Sequence, residues 1–516
     1  MKSKIIIFIF CALLVLVGYS KNQIGMNQPN RSFLKHPTGP YSVGFEDFHW
    51  INHDACPDFN FNGKNQDDFS SGNTKHCHEV IVRIYYPTTA HLQQGSLYYP
   101  PFISSQQDML KQVPGIQINQ LEQLINLKSF SLKKAPIIND KQFPVLLFSP
   151  GFGCAAEMYE NNITELVSHG YIVVGISTPF INLTALPNGH IIKPADLQSM
   201  ANNDKAIGDQ FVPLQSQDLI YVYNKLHEFH PAKGLFASMD LKHVGLFGHS
   251  IGAWSLAVVA HANPDWFQAI APLDIGPDKS GLPLKELKNF TIPVMYQINS
   301  IRKLSSPYLP VTYQLAPNGY LVGISPNERN DRYSHHMNFT DWSTLQYLPV
   351  YTTFFNHLKT QQIEQGFDLK VMFHSLTNKD IATFNKMTYV LSKQENAWVF
   401  AVYFIDPQHP QISVPVNFFD ITLVKGLSKA LSALPSHPTV KLTEAEIEPI
   451  RKIVTSLNNA MASFLGTGNG WEITDAINTY LVNFFDVYLK NKENLLLKKC
   501  TPLYKDTYIK CGPGQA

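Results

Sequence analysis

The sequence predicts an α/β fold: a mostly parallel central sheet with helices on both faces. Apolar runs at 144–148, 171–176, 244–247, 270–273 and 293–298 recur through the middle of the chain, with stretches of helical periodicity between them. Strands that alternate with helices imply βαβ units, and a βαβ unit makes its strands parallel. The runs are apolar throughout rather than at every second residue, the pattern of strands covered on both faces.

The elements follow in order. Lys2 and Lys4 precede an apolar run at 5–18, and the small residues Gly18 and Ser20 follow it. The run falls short of the roughly 20 residues that a membrane span needs, and its charged start and small-residue exit are those of a signal peptide, assigned to residues 1–20. Residues 21–78 read as a polar, loop-rich extension. Residues 79–86 read as a strand ended by Pro87, and 88–140 as loops with a short helix near 121–127. A helix over 155–168 stops at Gly170, and a second at 215–229 follows a long polar loop. Residues 350–470 break the rhythm with a β-like patch at 397–404, Pro-rich loops and a charged helix near 444–457. They read as an insertion or cap. Ile473, Ile477, Tyr480, Leu481, Phe484, Phe485 and Tyr488 then recur at helical spacing. The expected organisation is a signal peptide at 1–20, a catalytic core with its extension at 21–349, the insertion at 350–470, and a C-terminal helix and tail at 471–516 that complete the core.

The 516 residues carry 41 basic and 40 acidic side chains and are 44% hydrophobic. That suffices for one large core or two modest ones, and the balanced charge gives no field that would attract nucleic acid. Export exposes cysteines to oxidation, which suggests the short-range pairs Cys56–Cys77 and Cys500–Cys511 and leaves Cys154 as the odd thiol.

Residues 248–252 read Gly-His-Ser-Ile-Gly, a G-x-S-x-G turn. Such a turn projects its serine from the sheet on strained dihedrals, and glycines flank it because side chains there would strike the neighbouring strand and helix. Five residues alone describe an ordinary Gly-rich turn equally well. The apolar strand before this one and the small-residue helix at 253–261 after it supply the strand–turn–helix context of a nucleophile elbow. An α/β-hydrolase fold with Ser250 as nucleophile is therefore expected.

In that fold the acid and then the histidine follow the serine along the chain. Asp274 ends the run Ala269-Ile270-Ala271-Pro272-Leu273, where a strand's C-terminal end would point it at the elbow; Asp278, by contrast, reads as a turn or cap residue. His335 and His336 both follow a strand-like run at 320–324 and a polar loop. His357 sits in a helical stretch, and His374, His409 and His437 lie in the insertion. The histidine would take the serine proton and the aspartate would hold its tautomer. The Gly-rich loop Ser149-Pro150-Gly151-Phe152-Gly153 can turn backbone amides toward a substrate carbonyl oxygen, with the Ile251 amide as the second donor.

Several segments together resemble the platelet-activating-factor acetylhydrolases, the secreted and type II group of lipoprotein-associated phospholipases A2. They are Gly39-Pro40-Tyr41-Ser42-Val43-Gly44, Val82-Arg83-Ile84-Tyr85-Tyr86-Pro87, Phe148-Ser149-Pro150-Gly151-Phe152-Gly153, Gly248-His249-Ser250, Leu273-Asp274, the strand from Pro293 through Asn299-Ser300, and His336-Met337-Asn338-Phe339-Thr340-Asp341. The resemblance runs in order over about residues 38–345. It implies Ser250, Asp274 and His336 as the triad, with His335 as the fallback base. It also implies Phe152 and Ile251 as oxyanion amides, and calcium-independent catalysis without a cofactor or metal. The implied activity is hydrolysis of short-chain or acetyl esters of phospholipids, with peripheral contact to a membrane or lipid surface. A general carboxylesterase on small soluble esters and an inert hydrolase-like binding protein are the alternatives. Three features depart from the family. Pro150 stands where a histidine is usual, Ser177-Thr178-Pro179-Phe180 replaces a charged segment, and 350–470 has no counterpart.

Two further constellations carry metal-ligand residue types. Asp58, Asn60 and Asn62 match the first half of a calcium loop, but Phe69 stands where its bidentate glutamate belongs, so a polar turn is the expectation. His53, Cys56, His76, Cys77 and His78 could be assembled into a zinc site, against which the Cys56–Cys77 disulfide is preferred.

Overall fold

The computed structural model describes residues 33–55, 77–90, 95–194, 210–229, 234–274, 291–299, 318–324, 334–365, 387–394, 397–405, 413–420, 468–505 and 507–512. The expected signal peptide, the calcium half-loop at Asp58, Asn60 and Asn62, Asp278, and the charged helix at 444–457 lie outside these residues.

The strands of the main sheet are β1 (Ser42–Asn52), β2 (His78–Thr88), β3 (Ser131–Lys133), β4 (Phe143–Ser149), β5 (Ile172–Ser177), β8 (Met239–His249), β9 (Ala269–Leu273), β10 (Val294–Asn299), β11 (Gly319–Ile324) and β15 (Tyr508–Cys511). A two-residue pair, β6 (Thr184–Ala185) and β7 (Ile191–Ile192), forms a small separate ladder. The ten strands lie in the order β15-β11-β10-β9-β8-β4-β5-β2-β1-β3. From β5 across to β11 every neighbouring pair is parallel. β2 enters antiparallel between β1 and β5, and β15 closes the other side antiparallel to β11. This is the α/β-hydrolase arrangement that the alternating runs predicted.

Helices cover both faces because each strand serves two cores. Along β4, Leu146 and Phe148 face one cluster, and Val145 and Leu147 face the other, as the two-residue period of a strand requires. The first cluster takes in Ile163, Leu166 and Val167 from α3 (Glu160–Ser168) and Tyr480, Phe484 and Phe485 from α8 (Gly470–Lys490). The second takes in Leu219, Val222 and Leu226 from α4 (Val212–Phe229) and Leu256 and Val259 from α5 (Ile251–Ala262). α8 is the helix expected from the spacing of Ile473, Ile477 and Tyr480, and its inward residues are fully buried. No helix among the described residues is long and apolar enough to cross a membrane.

Several local expectations change. The extension at 21–78 contains β1, whose outer half alternates half-buried and exposed residues and therefore looks polar in sequence. Pro87 does not end β2, which runs on to Thr88 paired with β1. The β5 ladder stops at Tyr85, so Pro87 stands where a strand remains on one side alone. The mixed segment at 88–140 holds α1 (Pro100–Leu110) and α2 (Ile118–Ile125) as well as β3. In the insertion, α7 (Pro349–Gln365) includes His357, and β12 (Met387–Gln394), β13 (Ala397–Ile405) and β14 (Ser413–Asp420) form an antiparallel sheet. Cys500 and Cys511 are joined, tying the β15 edge strand to the end of α9 (Leu495–Lys498). Cys154 is free and buried. Cys77 is disulfide-bonded, which removes its thiolate from any zinc set; Cys56 lies outside the described residues.

Candidate active site

The site lies where the strand order reverses. From β4 the chain moves to β5 on one side and then, through α4, to β8 on the other. The loops leaving the C-terminal ends of β4 and β8 lead to helices on opposite faces of the sheet, and the crevice at such a switch point is where open α/β sheets bind ligands. The parallel register sets Ser149 against Gly248, so the loop at 150–153 and the turn at 249–252 leave the sheet side by side.

Ser250 sits on that turn with φ 56° and ψ −121°, a conformation that costs a residue with a Cβ of order 1–3 kcal/mol. The turn is held against relaxation. The Ser250 amide donates to the Leu273 carbonyl at 3.0 Å, and the Trp254 amide starts α5 by donating to the Ser250 carbonyl at 3.2 Å. Glycine at 252 is obligatory, because a Cβ there would lie 2.2 Å from the Ser149 carbonyl oxygen and 2.5 Å from that of Pro150.

Asp274 follows β9 directly, has φ 51° and is completely buried. Its amide donates to the Gln297 carbonyl at 2.7 Å, which bends the chain out of the sheet toward β10. Its carboxylate accepts three bonds: from the Asn299 amide at 2.9 Å, from the Asn299 side-chain nitrogen at 2.7 Å, and at 2.5 Å from His336 Nδ1. Of the two adjacent histidines the sequence offered, His336 thus meets the acid. The His335 amide instead donates to Asn338 Oδ1 at 2.7 Å and opens the 3-10 turn His336–Phe339. Asp341 pins the far end of this segment. It accepts the Glu160 and Asn161 amides at the start of α3, each at 2.8 Å, and the Tyr98 hydroxyl at 3.0 Å. Burial pushes the Asp341 carboxyl up to about 7, with the three donors acting against it.

The amides flanking the crevice are sorted by what they already bond. In the β4 loop, Gly151 donates to the Tyr159 hydroxyl at 3.0 Å, Gly153 to the Ile181 carbonyl at 2.8 Å and Cys154 to the Gly151 carbonyl at 3.1 Å. Among the described residues the amides of Phe152 and Ile251 find no acceptor, so these two donors are free to turn to a substrate oxygen. The loop is braced from outside: Gln215 Nε2 donates to the Pro150 carbonyl and Asn182 Nδ2 to the Gly151 carbonyl, both at 3.0 Å. An apolar wall stands beside these amides. Ile181, Phe211, Val212, Leu214 and Ile251 cluster there, with Phe152 and Trp254 partly buried against them.

His249, Asp274 and His336 place one ligand atom each within 4.8 Å of one another, a set that invites a metal reading. The chemistry fits a hydrogen-bonded cluster better. Two ligands of a tetrahedral zinc at about 2.0 Å stand roughly 3.3 Å apart, whereas His336 Nδ1 and Asp274 Oδ2 are 2.5 Å apart. His249 Nδ1 is engaged by the Tyr159 hydroxyl at 2.9 Å.

Sequence reasoning assigned no role to Asn299, Tyr159, His249, Gln215, Asn182 or Asp341. Position at a strand end was a signal for Asn299, and membership of the G-x-S-x-G turn was one for His249. Asp341 closes the segment that begins with His336, and Gln215 and Asn182 come from elements distant in the chain.

The sheet order and its helices give the chain an α/β-hydrolase fold. Residues 26–178 match the family of the platelet-activating factor acetylhydrolases, isoform II, and so bear out the resemblance read from the motifs. The matched stretch takes in β1, β2 and the Phe152 loop; Ser250, Asp274 and His336 lie beyond it. The fold is similar to that of a ferulic acid esterase from Streptomyces cinnamoneus, with a TM-score of 0.52 and 16% sequence identity over 92% of this chain and 98% of that one. No curated protein matches the chain in sequence. The family match supports an ester hydrolase, and the structural likeness shows the fold.

Proposed function

We propose that this protein is an exported serine esterase that hydrolyses short-chain or acetyl esters of phospholipids through an acyl-enzyme formed on Ser250. The observation that carries the reading is the His336–Asp274 bond beside a strained serine turn, with two uncommitted amides next to it. In the proposed mechanism His336 removes the Ser250 proton as the hydroxyl oxygen attacks the ester carbonyl. Asp274 fixes the proton of His336 on Nδ1 and stabilises the imidazolium. The Phe152 and Ile251 amides receive the oxyanion, a contribution of roughly 3–4 kcal/mol per donor in comparable sites. His336 then protonates the departing alcohol, and water repeats the sequence to release the acid.

The apolar wall of Phe211, Ile181 and Trp254 suits the acyl group. The Cys500–Cys511 disulfide is compatible with export into an oxidising compartment. The N-terminal run suits export, to the periplasm or out of the cell, and peripheral contact with a lipid surface is part of the proposal. A general carboxylesterase acting on small soluble esters is the second reading, since the triad geometry serves both.

A fluorophosphonate probe tests the nucleophile. Labelling of the wild type and not of Ser250→Ala supports the proposal; equal labelling of both removes Ser250 from that role. Hydrolysis of acetylated phospholipid set against p-nitrophenyl esters of graded chain length then separates the two substrate classes. A preference for the soluble esters would replace the phospholipid reading with the carboxylesterase one.

A further inference from the structure

His249, the residue before the proposed nucleophile, is almost completely buried. Its ring lies 4.3 Å from the His336 ring, centroid to centroid, tilted by 37°, and Phe339 stacks on it at 5.8 Å and 17°. Its Nδ1 is 2.9 Å from the Tyr159 hydroxyl. That hydroxyl oxygen also accepts the Gly151 amide of the β4 loop at 3.0 Å. Tyr159 is itself immobilised: it is fully buried, and its ring packs edge-on against Phe148 at 4.7 Å. One phenol therefore bonds to the oxyanion loop on one side and to the support of the base on the other.

We propose that Tyr159 and His249 are a positioning pair that couples the oxyanion loop to His336. This inference rests on the proposed triad chemistry. By committing the Gly151 amide, Tyr159 sets the peptide plane that leaves the next amide, Phe152, facing the crevice. By engaging His249 Nδ1, it fixes the ring against which the His336 imidazole rests. During Ser250 attack, negative charge appears at the Phe152 amide and positive charge on His336. Both ends of that developing ion pair are supported through the same hydroxyl. Neither Tyr159 nor His249 exchanges a proton with substrate in this scheme. The close approach has a steric counterpart: a Cβ on Gly151 would lie 2.9 Å from His249 Nδ1, 3.1 Å from the Tyr159 hydroxyl and 3.3 Å from Ser250 Cβ. Glycine at 151 is thus what lets the loop, the tyrosine, the histidine and the serine share one contact.

The test is a double-mutant cycle of Tyr159→Phe and His249→Phe on a short-chain p-nitrophenyl ester, both substitutions keeping an aromatic ring in place. Each single change lowers kcat roughly 10- to 100-fold with KM moved less than about 3-fold, as for a buried hydrogen bond felt mainly in the transition state. The double variant loses scarcely more than the worse single one, because one link has been cut twice. Multiplicative losses, or a change confined to KM, would overturn the coupling. Thermal melting separates a purely structural role, in which Tm falls while kcat of the folded fraction is unchanged; that result also overturns it. Fluorophosphonate labelling distinguishes the two levels of inference. A wild type that does not label refutes the serine-esterase reading. A wild type that labels at the same rate as Tyr159→Phe refutes the positioning pair alone.

Discussion

Asn299 holds the Asp274 carboxylate from the neighbouring strand with two donors at once, its backbone amide at 2.9 Å and its side-chain nitrogen at 2.7 Å. Both residues end parallel strands, β9 and β10, and the sheet spacing brings them together. These two bonds hold the buried carboxylate aimed at His336. Removing the side-chain donor in Asn299→Ala lowers kcat about 10-fold with KM nearly unchanged, measured on a short-chain p-nitrophenyl ester. An unaltered kcat would mean that the backbone amide alone suffices to orient Asp274.

Asp274→Asn tests the acid directly. The amide preserves shape but lets His336 carry its proton on the wrong nitrogen, so kcat at pH 7 drops by about 10⁴. Equal activity in Asp274→Asn and wild type would dismiss Asp274 and return attention to other acids.

Gly151→Ala places a methyl group among His249, Tyr159 and Ser250. The loop must shift by several tenths of an ångström, which moves the Phe152 amide off the oxyanion. A loss of roughly 10²-fold in kcat follows, with fluorophosphonate labelling slowed in parallel. Normal kinetics in this variant would show that the loop has slack the contacts do not suggest.

Stability should depend on pH through a buried carboxyl next to the site. Burial, with the Asp341 charge adding to it, pushes Glu160 up to about 8 from its ordinary 4.5. The folded chain therefore keeps a proton that the unfolded chain releases above about 4.5. Over that window the unfolded state binds fewer protons, so the contribution to stability is complete below the lower value and falls as pH rises through 8. The slope is at most about 1.4 kcal/mol per pH unit. Urea melts at pH 5 and pH 8 check the sign: wild type loses stability between them, and Glu160→Gln loses less. A steeper loss in Glu160→Gln would contradict the assignment.

Cutting the C-terminal disulfide weakens one edge of the sheet. Cys500 and Cys511 are 11 residues apart, and Cys511 pairs with Tyr320 of β11. Replacing both by serine lowers stability by about 2–3 kcal/mol through the freed chain entropy of a short loop. The site is remote, so kcat at low temperature holds while Tm falls; a matching loss of kcat would tie this edge to the crevice.

Much of the fold and three members of the proposed site were legible because their signals are local. Buried parallel strands must be apolar along their whole length, so β4, β5, β8, β9 and β10 announced themselves. The serine turn carries its glycines within five residues, and the acid and base follow it in a fixed chain order. β1 was missed because its outer half alternates half-buried and exposed positions, so Glu46, Asp47 and His49 make it look like a polar loop. β3 and β15 were missed because short edge strands carry few inward residues to form a pattern.

The sequence by itself determined the α/β class, and it offered the turn of the proposed nucleophile and a short choice of partners for it, because each depends on residue type and spacing along the chain. The tertiary structure brings the His336 imidazole to Asp274, a contact that no sequence pattern displays. It also brought Asn299 to the acid, and Tyr159 and His249 to the oxyanion loop and the base. Those relationships join residues far apart in the chain, and they exist because parallel register aligns the strand ends from which the loops depart.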